Sequence, residues 1–348
     1  MSLRRASGAS ASARASADKS AGQGRLRTSV ASAGQAGAVS GLPFDCPPAT
    51  DVAVAAQLAC LLEASVAKPG NVSPDRSFAD LRYEDFLAGA AAIGAPLAAA
   101  GSRPLGLTIR AAIEETARWT GSNVNLGIVL LLAPLAKAAI RLDPVSSGRS
   151  AKALGERSVV SGFNTSLRDE ARRVLAATTV DDARDVYAAI RLAAPGGLGT
   201  VDDQDIADEP TQTLLDVMRL AAGRDGIAHE YATAYELTFM TGVPALERAL
   251  ADGLSWPDAI VEMFLTLLAT TADTHIARRG GAAMAAEVSR HARATIAAGG
   301  VRSAEGRDAI EQMDRGLRDA RHLGNPGTTA DLTAAVIFVA LLGGRWRP

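Results

Sequence analysis

Apolar residues recur three and four positions apart along most of the chain after Pro48, and this spacing constrains the fold more than any other feature. It places the apolar side chains on one face of an α-helix, whereas a half-buried β-strand needs strict alternation, which no segment shows convincingly. Aromatic residues make up only 4% of the chain and alanine is abundant, a composition that favours helices. No linker-like change of composition and no fixed-period repeat follows Pro48. The sequence therefore predicts an all-α protein with a single large multi-helix domain over residues 49–348.

Proline and glycine divide this pattern into segments of ordinary helix length. The first helix is predicted to begin at Thr50 and to stop at Lys68-Pro69-Gly70, because proline disfavours a helical conformation in the residue before it. Further helices are predicted over residues 83–100, 105–119, 126–140, 167–176, 181–193, 213–222, 226–240, 244–251, 257–271, 282–297, 304–323 and 331–342.

Residues 1–48 differ from the rest, since the first forty are rich in Ser, Ala, Gly and Arg and contain Asp18 as their only acid. They lack the apolar stretch of a secretory signal. We expect a disordered tail or a mis-assigned start, and give less weight to a transit-type peptide or a nucleic-acid-binding arm.

The whole-chain charge and the cysteines limit the functional classes. A formal net charge of −2 provides no broad basic surface, so no nucleic-acid or membrane partner is expected and any anion site must be local. Cys46 and Cys60 are too few for a disulfide framework or a zinc cluster. The most apolar run, residues 126–133, is interrupted by Pro134 and is far shorter than the roughly 20 residues that span a bilayer. These features fit a cytoplasmic protein, and they leave open whether it forms a homodimer.

Four segments combine glycine or proline with charged or amide side chains at predicted helix ends: residues 63–73, 120–127, 273–281 and 325–331. Helix starts offer free backbone N–H groups and a partial positive charge, and glycine lets a ligand approach the backbone closely. Such helix ends are suited to binding phosphate groups.

The segment Asp273-Thr-His-Ile-Ala-Arg-Arg-Gly-Gly281 offers a carboxylate for magnesium next to cations for phosphate. An equally weighted alternative makes Asp273 a helix N-cap and the arginines a solvated surface. At residues 325–331, Thr328 or Thr329 as a cap is favoured over a functional role. For Asn123 and Asn125, loop stabilisation and ligand recognition are weighed evenly.

For two further groups of polar residues we favour a structural role over a metal or cation site. For His229 and Glu230 a mixed polar helix face is favoured over a metal site of the His-Glu-x-x-His type, because Thr233 stands where the second histidine would be. The acidic residues 202–209 lack the ligand order of an EF-hand, so a solvated loop is preferred over a cation site.

Residues 63–72, Glu-Ala-Ser-Val-Ala-Lys-Pro-Gly-Asn-Val, resemble the Glu and Lys-Pro-Gly-x-Val segment of the triphosphoribosyl-dephospho-CoA synthase family. Residues 273–281 are similar to that family's Asp-Thr-Asn with Arg-Gly-Gly, and residues 326–332 to its Pro-Gly-Gly-Ser-Ala-Asp-Leu. Asp80 resembles the aspartate of its His-x-Asp-Met segment. The motifs occur in the family's order between about residues 58 and 342.

The resemblance implies a helical transferase that uses ATP as a substrate, joins its ribosyl carbon to a ribose hydroxyl of dephospho-CoA and releases adenine. Such a reaction needs carboxylates, cations and a held triphosphate. By this resemblance the catalytic candidates are Glu63, Lys68, Asp80, Asp273 and Asp331, with Mg²⁺ held by Asp273 and Asp331. The candidates for binding nucleotide are Asn123, Asn125, Gly127, His275, Arg279, Gly280, Gly281, Gly327, Thr328 and Thr329.

The chain departs from the family pattern at four positions. Asn125 and Leu126 stand where the family has His and Lys, Ser73 replaces an Asp, and His275 replaces an Asn. The expected function is therefore a magnesium- and nucleotide-dependent transferase in prosthetic-group or cofactor biosynthesis. One alternative is a divergent paralogue that makes a one-carbon carrier, tetrahydromethanopterin or methylofuran, and another is a non-catalytic nucleotide-binding accessory protein.

Overall fold

The computed structural model describes residues 49–142, 156–319 and 321–346, and these residues contain no β-strand. The helices of the first half are α1 (Ala49–Ser65), α2 (Tyr83–Ala92), α3 (Gly94–Ala98), α4 (Leu105–Ala117), α5 (Leu126–Arg141), α6 (Glu156–Ala176) and α7 (Val180–Ala193). Those of the second half are α8 (Leu214–Ala221), α9 (Gly226–Thr233), α10 (Val243–Ala251), α11 (Trp256–Thr270), α12 (Thr274–Gly280), α13 (Ala282–Ala297), α14 (Ala304–Leu317) and α15 (Gly327–Leu342). The all-α prediction is confirmed, and the described residues belong to one compact unit. The tail expected over residues 1–48 lies outside the described residues.

The centre of this unit is α15, whose residues from Leu332 to Ala340 are all buried. A helix that is apolar on every face must lie inside a core. α15 packs against α1, α5, α9, α10, α11 and α12, and α5 in turn packs against α1, α4, α6 and α7. Among the described residues, no single helix is long and apolar enough to cross a membrane, and only α11 and α12 taken together, bent by 59°, meet the length and composition requirements.

Pro134 lies inside α5 and cannot donate a hydrogen bond to the carbonyl of Leu130. The hydroxyl of Tyr231 donates to that carbonyl instead, at 2.8 Å, and the hydroxyl of Tyr235 donates to the next carbonyl, that of Leu131, at 2.7 Å. Both tyrosines are fully buried. The proline in α5 and the tyrosines beyond it therefore form one structural unit.

The helix predicted over residues 226–240 is interrupted. Ala234 and Tyr235 adopt positive φ angles of 52° and 62°, after which a π-helix runs over Leu237–Gly242. The buried carboxylate of Glu230 accepts hydrogen bonds from the backbone N–H groups of Leu237 and Thr238, at 2.8 and 2.9 Å. Glu230 thus caps the next helical segment from a buried position, and the prediction that it lies on a mixed polar face is wrong.

Other helix boundaries also differ from the predictions. The segment 83–100 divides into α2 and α3 near Ile93, because Pro96 cannot donate to the carbonyl of Ala92. α14 ends at Leu317, six residues early, and α15 begins at Gly327, four residues early. The short helix α12 was not predicted, since seven residues give too little periodicity to detect.

Candidate active site

Several helices begin at the wall of one cavity of about 1570 Å³, and four of them follow the loops that matter most for the site. They are α5, α9, α12 and α15, and their first residues, Leu126, Gly226, Thr274 and Gly327, all line it. The start of a helix carries free N–H groups and a partial positive charge. The first N–H groups of α5, α9 and α15 donate to Asn123, Thr274 and Asn325, so these helix starts act on an anion through their partial positive charge rather than through these groups. The cavity also exceeds the roughly 300–1,000 Å³ of common ligand pockets, which leaves room for two nucleotide-sized substrates.

The structure brings the four sequence segments to this cavity. Glu63 and Asn71 of the first segment, and residues of each of the other three, line its wall. The loop after α1 reaches it because Gly70 has a φ of 77° and lies so close to Pro326 that a Cβ atom there would be 2.9 Å from the proline ring. The side chain of Asn71 then donates to Asn325 Oδ1 at 2.8 Å.

Asp273 is the N-cap of α12 and is almost fully buried. Its Oδ1 accepts from the N–H of Ile276 at 2.9 Å, and its Oδ2 accepts from the N–H and the hydroxyl of Thr329 at 2.7 and 2.8 Å. Burial raises the pKa of Asp273, although these hydrogen bonds oppose the shift. Both oxygens are thus engaged within the protein, a geometry that favours the capping role over that of a metal ligand.

Thr328 and Thr329 lie in the first turn of α15 rather than at its cap, which is Pro326. The Thr328 hydroxyl accepts from the N–H of His275 at 3.1 Å and lies 3.0 Å from the Thr274 hydroxyl. Thr274 also accepts from the N–H of Gly226, at 3.0 Å. The threonines therefore fasten the starts of α9, α12 and α15 to one another.

Glu63 lines the cavity and pairs with Lys68, whose Nζ lies 3.1 Å from Glu63 Oε1. Lys68 also donates to the carbonyls of Glu63 and, at 3.0 Å, Val66. The ammonium group has therefore used its three protons, and Lys68 does not line the cavity. Its position indicates that it holds Glu63 rather than contacting a ligand.

Asp331 lies in the second turn of α15 and also lines the cavity. Burial, followed by the neighbouring carboxylates of Glu63, Asp273 and Asp225, raises the pKa of Asp331 well above its ordinary value. Arg278 acts in the opposite direction. A carboxylate crowded by other carboxylates favours protonation or a bound cation.

Gly127 lies directly beside Asp331. A Cβ atom on residue 127 would lie 2.0 Å from Asp331 Oδ2, so any larger residue at this one position would displace the carboxylate. The glycine is required by this close approach.

Asn125, the N-cap position of α5, is buried, and its amide nitrogen donates to the carbonyl of Gly89 at 3.2 Å and to Thr116 Oγ1 at 3.0 Å. Asn123 is exposed at the cavity, and its Oδ1 accepts from the N–H of Leu126 at 3.3 Å. Both asparagines stabilise the start of α5.

His275 packs against the start of α15, where a Cβ atom on Gly327 would lie 2.3 Å from its Nδ1. Burial, with help from Arg278 and Arg279, lowers the pKa of His275 to about 4, so the ring is neutral near pH 7. Its Nδ1 is buried without a hydrogen-bond partner among the described residues. Gly327 is thus needed to accommodate the ring.

The remaining predicted residues are near the edge of the site. Arg279 lines the cavity but is exposed, and its Nη2 donates to the carbonyl of Arg321 at 2.8 Å. Gly280 and Gly281 do not line the cavity; Gly281, with a φ of 92°, makes the turn from α12 to α13. Asp80 is largely exposed at the cavity and pairs with His322, at 2.9 Å.

The site candidates taken from the sequence did not include Arg278 or the start of α9, although the helix itself was predicted to begin at residue 226. Arg278 lines the cavity with its side chain only 23% exposed, and its Nη1 lies 3.7 Å from Asp225 Oδ2. Asp225 is the N-cap of α9, where its Oδ1 accepts from the N–H of Ala228 at 2.9 Å. The Asp-Gly pair at residues 225–226, a cap followed by a glycine, resembles the helix ends of the four segments and was the signal that could have added this start to the candidate site.

No three His, Cys, Asp or Glu side chains within the described ranges lie close enough to bind a metal ion by themselves. Magnesium commonly binds through one or two carboxylates together with phosphate oxygens. The donor set therefore fits a magnesium ion shared with a bound polyphosphate, with Asp331 as the available carboxylate, and does not fit a metal site formed by protein ligands alone.

The fold and the site together define a helical protein with one large cavity where helix starts meet the carboxylates of Glu63, Asp273 and Asp331. The model of the ATP:dephospho-CoA triphosphoribosyl transferase family matches residues 49–348, and the chain belongs to this family.

Named relatives agree with this assignment. Two proteins named "Probable 2-(5''-triphosphoribosyl)-3'-dephosphocoenzyme-A synthase" are each 30% identical to the chain. The one from Pseudomonas putida aligns over 149 residues, 42% of this chain and 51% of the relative. The one from Pseudomonas paraeruginosa aligns over 156 residues, 44% of this chain and 52% of the relative. The chain thus spans about half the length of these curated relatives.

A solved structure is also similar. A crystal structure from Archaeoglobus fulgidus, assigned as a triphosphoribosyl-dephospho-CoA synthase, matches with a TM-score of 0.52 and 26% identity. The match covers 75% of this chain and 99% of that one.

Proposed function

We propose that this protein is a nucleotide-dependent transferase that moves the triphosphoribosyl group of ATP to a ribose hydroxyl of dephospho-CoA and releases adenine. The family and the names of the relatives support the reaction class. The observation that carries the proposal is the convergence of four helix starts, Arg278 and the carboxylates of Glu63 and Asp331 on one cavity.

The triphosphate of ATP is best accommodated where the helices begin. The partial positive charge at the starts of α5, α9 and α15 attracts anions, and a guanidinium matches two phosphate oxygens at once. Arg278 is the partly buried cation at this place, and binding of a phosphate there would replace its long contact with Asp225. The donor would thus be held by its charged end.

The chemistry requires that the bond between the ribosyl C1′ and the adenine nitrogen break while a new bond to the acceptor oxygen forms. Adenine leaves with the bonding electrons and takes up one proton, and the acceptor hydroxyl gives up one proton. Glu63 is proposed as the base that accepts the hydroxyl proton, because it lines the cavity and its charge is stabilised by Lys68. Lys68 is proposed as the residue that positions it.

Asp331 is proposed to hold the magnesium ion that accompanies the triphosphate. When bound, this ion would neutralise phosphate charge. It would also relieve the repulsion among the carboxylates of Asp331, Glu63 and Asp225. Asp273 is left with its capping role.

The residues that differ from the family pattern alter the surroundings of the pocket, but they do not indicate a different acceptor. Asn125 and Ser73 are buried and bonded within the protein, Ser73 through backbone hydrogen bonds with Arg76 of 3.0 and 3.1 Å. The relatives described above carry the dephospho-CoA name, and we therefore propose dephospho-CoA rather than a one-carbon carrier as the acceptor.

The test is to incubate the purified protein with ATP, Mg²⁺ and dephospho-CoA, and to follow adenine by chromatography and the coupled product by mass spectrometry. We expect Glu63→Gln to slow adenine release about 100-fold or more, since it removes the base. Glu84→Gln, at an exposed position of α2 away from the cavity, is the matched control and should retain full activity. Absence of adenine with the unmodified protein would refute the proposed reaction.

A further inference from the structure

Away from the helix starts, the cavity has an apolar wall. It is formed by Val186 and Ile190 of α7, by Val217 and Leu220 of α8, and by Leu198 in the loop that follows α7. We call these five residues the apolar wall. They share one cavity with the anion-binding helix starts, so a single ligand is able to contact both.

Two members of the apolar wall are unusually exposed for large apolar side chains. Leu220 is 47% exposed and Leu198 is 41% exposed. Scattered exposed leucines are common on protein surfaces, but two that face one cavity mark a surface that a ligand covers. Because both leucines are exposed at the same cavity, their exposure indicates a binding surface.

The loop that carries Leu198 is fixed to its neighbours in three places. Arg278 Nε donates to the carbonyl of Gly196 at 3.1 Å, Tyr187 Oη donates to that of Gln204 at 2.6 Å, and Arg191 Nη1 donates to that of Ile206 at 2.8 Å. These contacts join the loop to α7 and α12. The apolar wall is thus built before a ligand arrives, which lowers the entropic cost of binding.

The charges beside the apolar wall offset one another: Arg224, which lines the cavity and donates to the carbonyl of Leu220 at 3.3 Å, accompanies two aspartates. Asp203 and Asp205 line the same part of the cavity, next to Tyr187 of α7. Asp205 is held in place by hydrogen bonds from the N–H groups of Val201, at 2.8 Å, and Ala207, at 2.9 Å. A neutral ligand group suits this end of the cavity, whereas the phosphates suit the other.

We propose that the apolar wall binds the neutral arm of the acceptor, the chain of methylene and amide groups attached to the diphosphate of dephospho-CoA. This inference rests on the proposed function, and it specifies which part of the acceptor is recognised and by which residues. ADP shares the nucleotide and the diphosphate with dephospho-CoA but lacks the arm, so the two ligands separate recognition of the arm from recognition of phosphate.

The experiment compares Leu220→Gln with Leu107→Gln. Both leucines lie in helices and their exposures are similar, 47% and 42%, but only Leu220 lines the cavity. Leucine and glutamine have similar helix propensities, so neither variant should lose its helix. Binding of dephospho-CoA and of ADP is measured by titration calorimetry, with the full-length protein.

We expect Leu220→Gln to weaken dephospho-CoA binding about fivefold, from the apolar area that is lost, and to change ADP binding less than twofold. Leu107→Gln should change neither. An equal loss for both ligands, or no loss for dephospho-CoA, would overturn the inference. If dephospho-CoA binds in this pattern but the unmodified protein releases no adenine, the arm site is supported and the proposed reaction is refuted.

Discussion

At the residue scale, Arg278 and Arg279 show how neighbours in one motif separate in the fold. The sequence pointed to Arg279, because the family resemblance falls on the arginine before the two glycines. The structure leaves Arg279 exposed and bonded to the carbonyls of Arg321 and His322, while Arg278 is partly buried and close to Asp225 and Asp331. A residue pattern cannot show which of two adjacent helical side chains faces the cavity when the helix is only seven residues long.

We therefore predict that Arg278→Ala raises the KM for ATP more than Arg279→Ala does. Loss of a phosphate-binding guanidinium from a partly closed site costs about 2 kcal/mol, or roughly 30-fold, whereas an exposed arginine contributes little. The measurement is the KM for ATP of each variant in the adenine-release assay. A larger effect of Arg279→Ala would restore the assignment made from the sequence.

The carboxylate of Asp331 is expected to serve activity at the expense of stability. Its pKa is raised in the folded protein, so its favourable contribution to folding is complete below the unfolded pKa and is lost as pH rises through the folded pKa. Asp331→Asn should abolish activity yet raise the melting temperature by about 2 °C or more at pH 8, with a smaller gain at pH 5.

Thermal unfolding of Asp331→Asn at both pH values, with Asp75→Asn at an exposed position as the control, tests this expectation. A lower melting temperature at pH 8 would mean that the folded protein stabilises the charged carboxylate.

The close contact between Gly127 and Asp331 predicts that adding a single methyl group at residue 127 lowers activity. Alanine is normally favoured over glycine in a helix by roughly 0.5–1 kcal/mol, but a Cβ at residue 127 would lie 2.0 Å from Asp331 Oδ2. Gly127→Ala should reduce kcat at least about tenfold, because it displaces the carboxylate. Gly316→Ala, in an open helical position of α14, should instead stabilise the protein and leave kcat unchanged. Full activity of Gly127→Ala would show that Asp331 can move without consequence.

At the element scale, periodicity predicted where most helices lie but not where they are interrupted. Pro134 did not end α5, because tyrosine hydroxyls more than ninety residues later donate to the carbonyls of Leu130 and Leu131. Conversely, residues 234–235 contain no proline or glycine, yet the helix breaks there because Glu230 caps the segment that follows. The first outcome depends on tertiary partners, which a local pattern does not contain, and the second on a side-chain cap that apolar periodicity does not reveal.

Tyr231→Phe should therefore destabilise the protein by about 1–2 kcal/mol, because it removes the hydroxyl that donates to the carbonyl of Leu130 in place of the N–H that Pro134 lacks. Tyr83→Phe, which removes a hydroxyl paired with Ser65 at the surface, should cost less than about 0.5 kcal/mol. Urea unfolding measures both.

A double-mutant cycle sharpens this test. Pro134→Ala supplies a backbone N–H for the Leu130 carbonyl, so Tyr231→Phe should cost less in that background. Equal costs in both backgrounds would show that the hydroxyl and the proline act independently.

At the scale of the whole molecule, Asp314 connects distant parts of the chain. Its Oδ1 accepts from the N–H of Gly70 at 2.8 Å, and its Oδ2 accepts from Arg76 and Arg318 at 2.7 and 2.8 Å. Sequence analysis found the loop at residues 68–70 but not its partner, since nothing near Asp314 in the sequence marks a contact 244 residues away. The convergence of separate motifs was foreseeable only from the resemblance, whereas the contacts that enforce it were not.

Asp314 also sets an acid limit to stability. Burial alone would raise its pKa, but hydrogen bonds from Arg318 and Gly70 hold the pKa of Asp314 below its usual value. Its contribution is thus present above the unfolded pKa of about 3.9 and is lost as pH falls through the folded pKa. Asp314→Asn should cost about 3 kcal/mol at pH 7 and remove part of the decline between pH 5 and pH 3.

Unfolding free energies across this pH range provide the measurement, with Asp308→Asn on the exposed side of α14 as the control. An unchanged acid decline in Asp314→Asn would assign that decline to other carboxylates.

The central position of α15 has a consequence for how the protein is made. Synthesis proceeds from residue 1, and α1 and α5 emerge from the ribosome long before residues 327–342, the helix against which both pack. Until those residues are translated, the apolar faces of the earlier helices have no cover, and contacts so distant in sequence form slowly. Nascent chains halted before residue 327 should therefore expose apolar surface and be recognised by chaperones and proteases.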